Sequence, residues 1–314
     1  MKKITYLIFI ASFTLSCNSK IKDSETKIQI EEGTEVTEEN DAVEHRKNAN
    51  AEEGDNVIGF WVGYFKEDSE ENYTDKGVFV DDGFYWNREN KINISIDKIT
   101  DSVVIGHSVV AGNKRPFSGT VTNGQFRVRE PGNDKYDGEF QFEILNNKLI
   151  GKWTAYKNID VKKRKYSLEK KEFTYDPNIM LEKSKQYVNW NKFTEKKERI
   201  EMDKNEFEEW VSKEFASATE VIYRINASNT LLKKKDVENL KKGDLTIIRN
   251  TIYARHGYSF KNRPLRVFFD AQSWYIPVHT NIKSDFTEIE KENIKLLLRY
   301  EKNAIEYYDY FGRG

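Results

Sequence analysis

Apolar and polar side chains alternate with a period of two through most of residues 56–172. Ile92, Ile94 and Ile96, for example, are separated by single polar residues, which predicts a strand with one buried face. Further strands are predicted near 57–66, 77–86, 103–111, 116–122, 125–130, 139–144, 147–156 and 161–170. Turn signals separate many of them, at Gly112-Asn113, Asn123-Gly124, residues 131–134 and Asn146-Asn147. Eight or nine short strands predict an all-β domain, either an antiparallel barrel or a sandwich.

The last third of the chain has helical spacing instead. Its first apolar stripe, at i, i+3, i+4 and i+8, consists of Phe207, Trp210, Val211 and Phe215. The stripe follows the potential capping pair Asp203 and Glu206 and predicts a helix. Further helices are predicted over 235–242, 245–257, 264–271 and 287–308. The chain is therefore predicted to be multi-domain, with a β domain at 56–172, a connector at 173–202 and a mostly α-helical domain at 203–310.

The N-terminus has the pattern of an export signal. Lys2 and Lys3 precede a twelve-residue apolar run, residues 4–15, which is shorter than the roughly 20 residues of a membrane-spanning helix. Residues 14–17, Thr-Leu-Ser-Cys, resemble the lipobox of bacterial lipoproteins. This resemblance implies a signal peptide at 1–16, acylation of Cys17 and a lipid anchor in the outer membrane, facing the periplasm or the cell exterior. The alternative is an ordinary signal peptide with an incidental cysteine.

Residues 17–55 have the composition of a tether. Between residues 18 and 55 there are twelve acidic and five basic side chains and no aromatic residue. Such a segment cannot bury enough apolar area to offset the entropy of ordering it. We therefore expect an acidic, disordered stalk between the lipid anchor and the folded part.

Composition limits the chemistry of the whole chain. The 51 basic residues almost balance the 52 acidic ones, so the net charge indicates no general polyanion binder. A single cysteine excludes a disulfide framework and a cysteine-based zinc site, and four histidines leave little material for a metal centre. We expect no metal, no cofactor and no nucleic-acid partner.

The β domain contains weak motifs only. Gly59-Phe60-Trp61 resembles the start of lipocalin- and avidin-like barrels, which allows either a barrel open to a small apolar ligand or a core plugged by Trp61 and Trp153. Residues 106–110 begin like a nucleophile elbow, but Val110 stands where that motif needs glycine. We therefore interpret His107 as a strand residue with its own hydrogen-bond partner. Residues 133–138 fail the calcium-loop pattern and are interpreted as a turn.

The C-terminal region carries a more specific signature. Residues 248–257, Ile-Arg-Asn-Thr-Ile-Tyr-Ala-Arg-His-Gly, resemble the signature of the YARHG domain family, and matching stretches surround them over about 226–302. The resemblance implies a small extracytoplasmic module of secreted or lipid-anchored bacterial proteins. It implies no catalytic residue.

The same region is basic and aromatic. Residues 226–275 have ten Lys or Arg and four acidic residues. Arg249, Tyr253 and His256 share one helix face and could bind a carboxylate together. The ligand-binding candidates are therefore Arg249, Tyr253, Arg255, His256, Trp274 and Tyr275. The alternative is structural, with Arg249 and His256 bonding carbonyls of the loop after Gly257.

These observations favour a lipid-anchored, non-enzymatic binding protein of the cell envelope. Its partner would be peptidoglycan, lipopolysaccharide or an envelope protein. One alternative is an inhibitor of a hydrolase. Another is a hydrolase that uses a carboxylate pair, Asp81 with Asp82 or Glu130 with Asp137. An open barrel interior would favour ligand binding, and a filled one would argue against both a small ligand and a hydrolase.

Overall fold

The computed structural model describes residues 57–68, 78–80, 84–86, 89–203 and 206–304. The predicted signal peptide, Cys17, the acidic tether, Asp81 and Asp82 lie outside these residues. Ten strands come first in the described part. They are β1 (Gly59–Glu67), β2 (Val78–Val80), β3 (Phe84–Trp86), β4 (Asn90–Thr100), β5 (Val103–Val110), β6 (Asn113–Thr122), β7 (Gln125–Arg129), β8 (Gly138–Leu145), β9 (Lys148–Ala155) and β10 (Lys163–Lys171).

Eight of these strands form a closed antiparallel barrel. Strands β4 to β10 pair in sequence order, and β1 closes the barrel between β10 and β4. Several of the predicted turns lie where the chain takes a left-handed conformation, as at Asn123 and Gly124 with φ of 51° and 75°. Such paired positive φ values match the right-handed twist of tight hairpins. The barrel alternative of the sequence prediction is therefore confirmed, and the sandwich is not observed.

Aromatic and branched side chains fill much of the barrel interior. Trp61 and Trp153 are both buried in this core, as the plug interpretation predicts. Phe126 and Phe142 stack with ring centroids 4.8 Å apart across β7 and β8. Residues 77–86, predicted as one strand, instead contribute β2 and β3, which pair only with each other.

A long hairpin replaces the predicted first helix of the C-terminal domain. Its strands are β11 (Val188–Asp203), which begins inside the predicted connector, and β12 (Glu206–Ser217). The predicted helix at 203–215 is therefore wrong. Spacings of four residues, as between Phe207, Val211 and Phe215, suit one face of a strand as well as one face of a helix. The exposure of Trp210 and Val211 shows that no helical core formed here.

Helices follow the hairpin. A 3-10 helix (Glu220–Tyr223) precedes α1 (Lys234–Val237), α2 (Lys242–Arg255), α3 (Arg263–Asp270) and α4 (Glu288–Asn303). The end of α2 is as predicted, because Gly257 takes φ of 66° just after the C-cap His256. Within the described ranges, no helix combines the length and the apolar character needed to span a membrane.

The outer face of β4 packs against the helical region. The sequence pattern predicts one buried face, yet Asn93 and Ser95 are as buried as the isoleucines beside them. Lys91 is also buried, and its ammonium donates hydrogen bonds to the carbonyl oxygens of Gln272 and Tyr275 at 2.7 and 3.0 Å. Polar side chains on this face therefore join the barrel to the helices instead of facing solvent.

Two ionisable residues, Lys91 and Asp270, are buried inside this junction. The backbone N–H of Lys91 donates to Oδ2 of Asp270 at 2.8 Å, and Tyr64 donates to the Asp270 carbonyl. Burial raises the pKa of Asp270 to about 7 and lowers the pKa of Lys91 to about 8. The backbone of Gly112 donates to Oγ of Ser259 at 2.9 Å. These contacts fix the position of α3 relative to the barrel.

Candidate ligand-binding site

The first candidate residue, Arg249, binds a carboxylate of its own chain. It lies on α2, and its Nε and Nη2 donate to the two carboxylate oxygens of Glu301 on α4 at 2.8 and 3.1 Å. Both side chains are about 15% exposed. The two-point geometry that suits an anionic ligand is therefore already occupied within the domain.

His256 is also engaged by α4. Its Nε2 lies 2.8 Å from Oε2 of the fully buried Glu290, and its ring stacks on Tyr175 at 4.3 Å. Tyr175 donates to the other oxygen of Glu290 at 2.9 Å. Burial alone would raise the pKa of Glu290, but hydrogen bonds from His256, Ser228 and the Thr287 backbone hold it below its ordinary value.

Arg255 and Tyr275 belong to the interior as well, and Trp274 is partly buried against the same core. Arg255 donates through Nε and Nη2 to the carbonyl of Ile179 at 2.9 and 2.6 Å. The Tyr275 hydroxyl donates to the Tyr258 carbonyl at 2.7 Å. The indole N–H of Trp274 is the one buried side-chain polar atom without a hydrogen-bond partner in the described part of the chain.

The structure thus favours the structural interpretation of the signature, with different partners from those predicted. The carbonyls after Gly257 do not hold Arg249 and His256, because both side chains bind carboxylates of α4. Tyr253 stacks on Phe286 at 5.3 Å instead of facing solvent. The sequence could not reveal these partners, since they lie 33 to 52 residues away.

A cavity of about 720 Å³ lies at one end of the barrel. This end is the one where β1 finishes and β4 begins, and it includes the β5–β6 turn, the β7–β8 loop and the β9–β10 loop. Two arginines of α3 also line it, so the cavity has walls from both the barrel and the helical region. The barrel is therefore filled in part and open in part.

The floor of the cavity is aromatic. Phe65, Phe140 and Trp153 line it and are each at least 95% buried. The Phe65 ring lies 5.5 Å from Trp153 in an edge-on arrangement and 6.2 Å from Phe140. Only a small part of each ring faces the cavity, and these parts give its inner end an apolar surface.

Glu130 is the one buried acid in the lining. Its oxygens accept hydrogen bonds from the Ser108 hydroxyl at 3.0 Å, the Gly138 backbone at 2.8 Å and the Trp153 indole at 3.2 Å. Burial raises its pKa to about 7, although these hydrogen bonds oppose the shift. The carboxyl group is therefore neutral in a large fraction of molecules near pH 7.

Basic side chains dominate the rest of the lining. They are Arg115, Lys135, Lys157, Arg164, Arg263 and Arg266, whereas the acids of the lining are Glu130 and Asp160. Arg115 is neutralised by Asp134 and Asp137, at 3.4 and 3.2 Å. Basic side chains thus outnumber acidic ones in the lining, so the mouth of the cavity carries a net positive charge.

The sequence motifs near the cavity have structural roles. His107 lies on β5 with Nδ1 2.8 Å from Asp97, which confirms its interpretation as a strand residue. Asp137 accepts from the backbones of Gly132 and Asp134, so residues 133–138 form part of a turn held by an aspartate. In the part of the chain that the structure describes, no group of three or more His, Cys, Asp or Glu residues is placed to hold a metal ion.

Sequence reasoning kept an open barrel as an alternative but did not identify the basic residues that line the cavity. Its basic residues are dispersed from position 115 to position 266 and have no common motif. The one available signal was the excess of basic residues at 226–275, which includes Arg263 and Arg266. Only the closure of the barrel and the docking of α3 bring these residues together.

Comparison with protein-family models identifies a YARHG domain at residues 219–302. This confirms the resemblance seen in the signature and extends its start by seven residues. The match covers the 3-10 helix and all of α1 to α3 and most of α4. No curated protein and no solved structure matches the chain significantly.

Proposed function

We propose that this protein is a lipid-anchored, non-enzymatic binding protein of the bacterial outer membrane. The proposal rests on the YARHG domain and on the partly open barrel. Cys17 would carry the lipid anchor, and residues 17–55 would act as the tether. The YARHG domain suggests an extracytoplasmic module for interaction. The barrel-end cavity, and not the signature face of α2, would hold the ligand.

The cavity carries this proposal. Its volume of about 720 Å³ lies within the range of roughly 300 to 1,000 Å³ that is common for small-molecule sites. The signature residues offer no comparable site, because Arg249 and His256 already bind Glu301 and Glu290. A positively charged mouth suits an anionic component of the envelope, such as a peptidoglycan fragment or a lipopolysaccharide moiety.

The contacts of the candidate catalytic pair, Glu130 and Asp137, favour binding over hydrolysis. Glu130 accepts three hydrogen bonds from Ser108, Gly138 and Trp153, and Asp137 accepts two from loop backbone and pairs with Arg115. Both side chains thus stabilise the β7–β8 loop. Neither is presented to the cavity as half of an unengaged acid–base pair.

Binding can be tested with N-phenyl-1-naphthylamine, a neutral dye that fluoresces in apolar sites. We expect saturable one-to-one binding. Val110→Trp, on the inner face of β5, should fill the cavity and reduce the affinity at least tenfold. Ile105→Trp places the same ring on the exposed face of the same strand and should leave the affinity within twofold. Equal binding by both variants would contradict the proposal.

The lipid anchor is tested separately. Cys17→Ser should abolish labelling with a fatty-acid analogue. The variant should also move from the membrane fraction to the aqueous fraction, because it lacks the acyl chains that stable anchoring requires. Unchanged membrane retention of the variant would overturn this part of the proposal. It would leave the cavity assignment untouched.

A further inference from the structure

The cavity is chemically asymmetric. Its floor consists of the aromatic cluster of Phe65, Phe140 and Trp153, deep in the barrel. Its rim carries Lys135 and Lys157, which are both exposed and belong to separate loops. A ligand that uses the whole cavity must therefore have an apolar part and a polar part.

The rim carries more positive than negative charge. The exposed ammonium group of Lys135 lies 4.6 Å from the centre of the Tyr136 ring, and Asp160 is the single acidic residue of the lining besides Glu130. A concave surface with low-dielectric walls concentrates the field of such cations, and this field attracts anions. Cations of the rim can be approached from solvent, so a charged head group need not be stripped of all its water there.

The YARHG domain contributes to the same rim. Arg263 and Arg266 belong to α3, and Arg266 donates through Nε to Oδ1 of Asn90 at the start of β4, at 2.8 Å. Arg266 also donates to the carbonyl of Lys261 at 3.0 Å. These bonds hold the guanidinium at the mouth of the barrel. Docking of the YARHG domain therefore adds positive charge to a site whose floor the barrel supplies.

On the premise that the cavity is the binding site, we infer that its ligand is an anionic amphiphile with one carboxylate or phosphate head group and an apolar tail. The tail lies on Phe65, Phe140 and Trp153. The head group lies at the rim beside Lys135 and Lys157, with the YARHG arginines as the opposite wall. The reverse orientation would place the charged head group against buried apolar rings, which costs more hydration than a place at the exposed rim.

Three ten-carbon probes with the same tail test the head-group preference. Decanoate, decanol and decylamine compete with N-phenyl-1-naphthylamine for the wild-type cavity. We expect decanoate to bind at least tenfold more tightly than decanol and decylamine to bind most weakly. The advantage of decanoate should shrink as salt is raised, because ions screen exposed charges.

A charge-reversal variant of the rim tests where the head group binds. Lys135→Glu combined with Lys157→Glu should weaken decanoate binding at least tenfold and should strengthen decylamine binding. The matched control is Lys98→Glu combined with Lys148→Glu, since these exposed lysines lie at the opposite end of the barrel and change the net charge equally. Circular dichroism verifies that both variants are folded.

The outcomes separate the inference from the proposed function. If decanol binds as tightly as decanoate, the inference that the ligand has an anionic head group is wrong, and the cavity remains a binding site. Equal loss of decanoate affinity in both charge-reversal variants would overturn the location of the head group. Failure of the dye and of all three probes to bind would overturn the proposed function itself.

Discussion

The buried carboxyl group of Glu130 allows a quantitative test of the barrel interior. Its pKa of about 7 in the folded chain lies above the ordinary value of 4.5 because burial disfavours the charged form. Between these pH values the folded chain binds more protons than the unfolded chain, so stability falls as pH rises. The loss corresponds to about 2.5 kcal/mol between pH 5 and pH 8.5.

Glu130→Gln removes this titration and preserves the hydrogen bonds. The amide oxygen can accept from Gly138 and Trp153, and the amide N–H can donate to the Ser108 hydroxyl. Urea unfolding followed by tryptophan fluorescence gives the free energy of unfolding at both pH values. The variant's stability relative to wild type should rise by about 2 to 3 kcal/mol from pH 5 to pH 8.5.

Glu139→Gln is the matched control. Burial would raise the pKa of Glu139, but hydrogen bonds from Arg129, Arg127 and Gln141 lower it to about 2. Its contribution to stability is therefore lost between about pH 4.5 and pH 2 as pH falls, outside the tested window. This variant should show the same stability difference from wild type at pH 5 and pH 8.5. A flat response of Glu130→Gln over that window would refute the reasoning about burial.

Three further predictions concern the C-terminal region. Arg249→Ala should destabilise the folded chain by about 1 to 3 kcal/mol, because the largely buried Glu301 loses both hydrogen bonds from the guanidinium, and a double-mutant cycle with Glu301→Ala should show coupling in thermal unfolding. Gly257→Ala should cost about 1 to 2 kcal/mol in urea unfolding, because φ is 66° there and an added Cβ would lie 2.9 Å from a neighbouring ring carbon. Replacing the hairpin residues 195–213 with Asn-Gly should change the melting temperature by no more than a few degrees, because these residues are mostly exposed.

Each of these predictions has a contrary result. Additive effects of the Arg249 and Glu301 substitutions would mean that the pair does not interact. A stable Gly257→Ala variant would show that the turn after α2 tolerates a side chain. A large drop in melting temperature on shortening the hairpin would show that it packs against another surface.

The five letters of the YARHG signature have a common physical explanation. Tyr253 packs against an aromatic ring before α4, and Ala254 is almost fully buried, where a larger side chain would not fit. Arg255 donates a hydrogen bond to the Ile179 carbonyl in the segment before β11, and His256 is hydrogen-bonded to the Glu290 carboxylate of α4. Gly257 takes the left-handed conformation that reverses the chain. The signature therefore joins the end of α2 to three other parts of the chain.

The sequence by itself determined the local structure of the barrel and of the signature helix. Alternation at Ile92, Ile94 and Ile96 required a strand, because side chains of a strand point to opposite faces. Asn123-Gly124 required a tight turn, because both residues tolerate positive φ. The end of α2 at Gly257 followed from the same conformational freedom. These features depend on neighbours in the chain, so a local pattern suffices to predict them.

Only the tertiary structure decided which surfaces are buried and where the charges meet. Asn93 and Lys91 look like solvent-facing positions until the helical region covers them and supplies carbonyl acceptors. The four-residue spacings between Phe207, Val211 and Phe215 fit a helix and a strand equally, and pairing with β11 selected the strand. The cavity needs Trp153 from β9 and Arg266 from α3, and no local pattern connects positions 113 residues apart. Barrel closure and domain docking bring them together, because both bury surface that neither segment can bury alone.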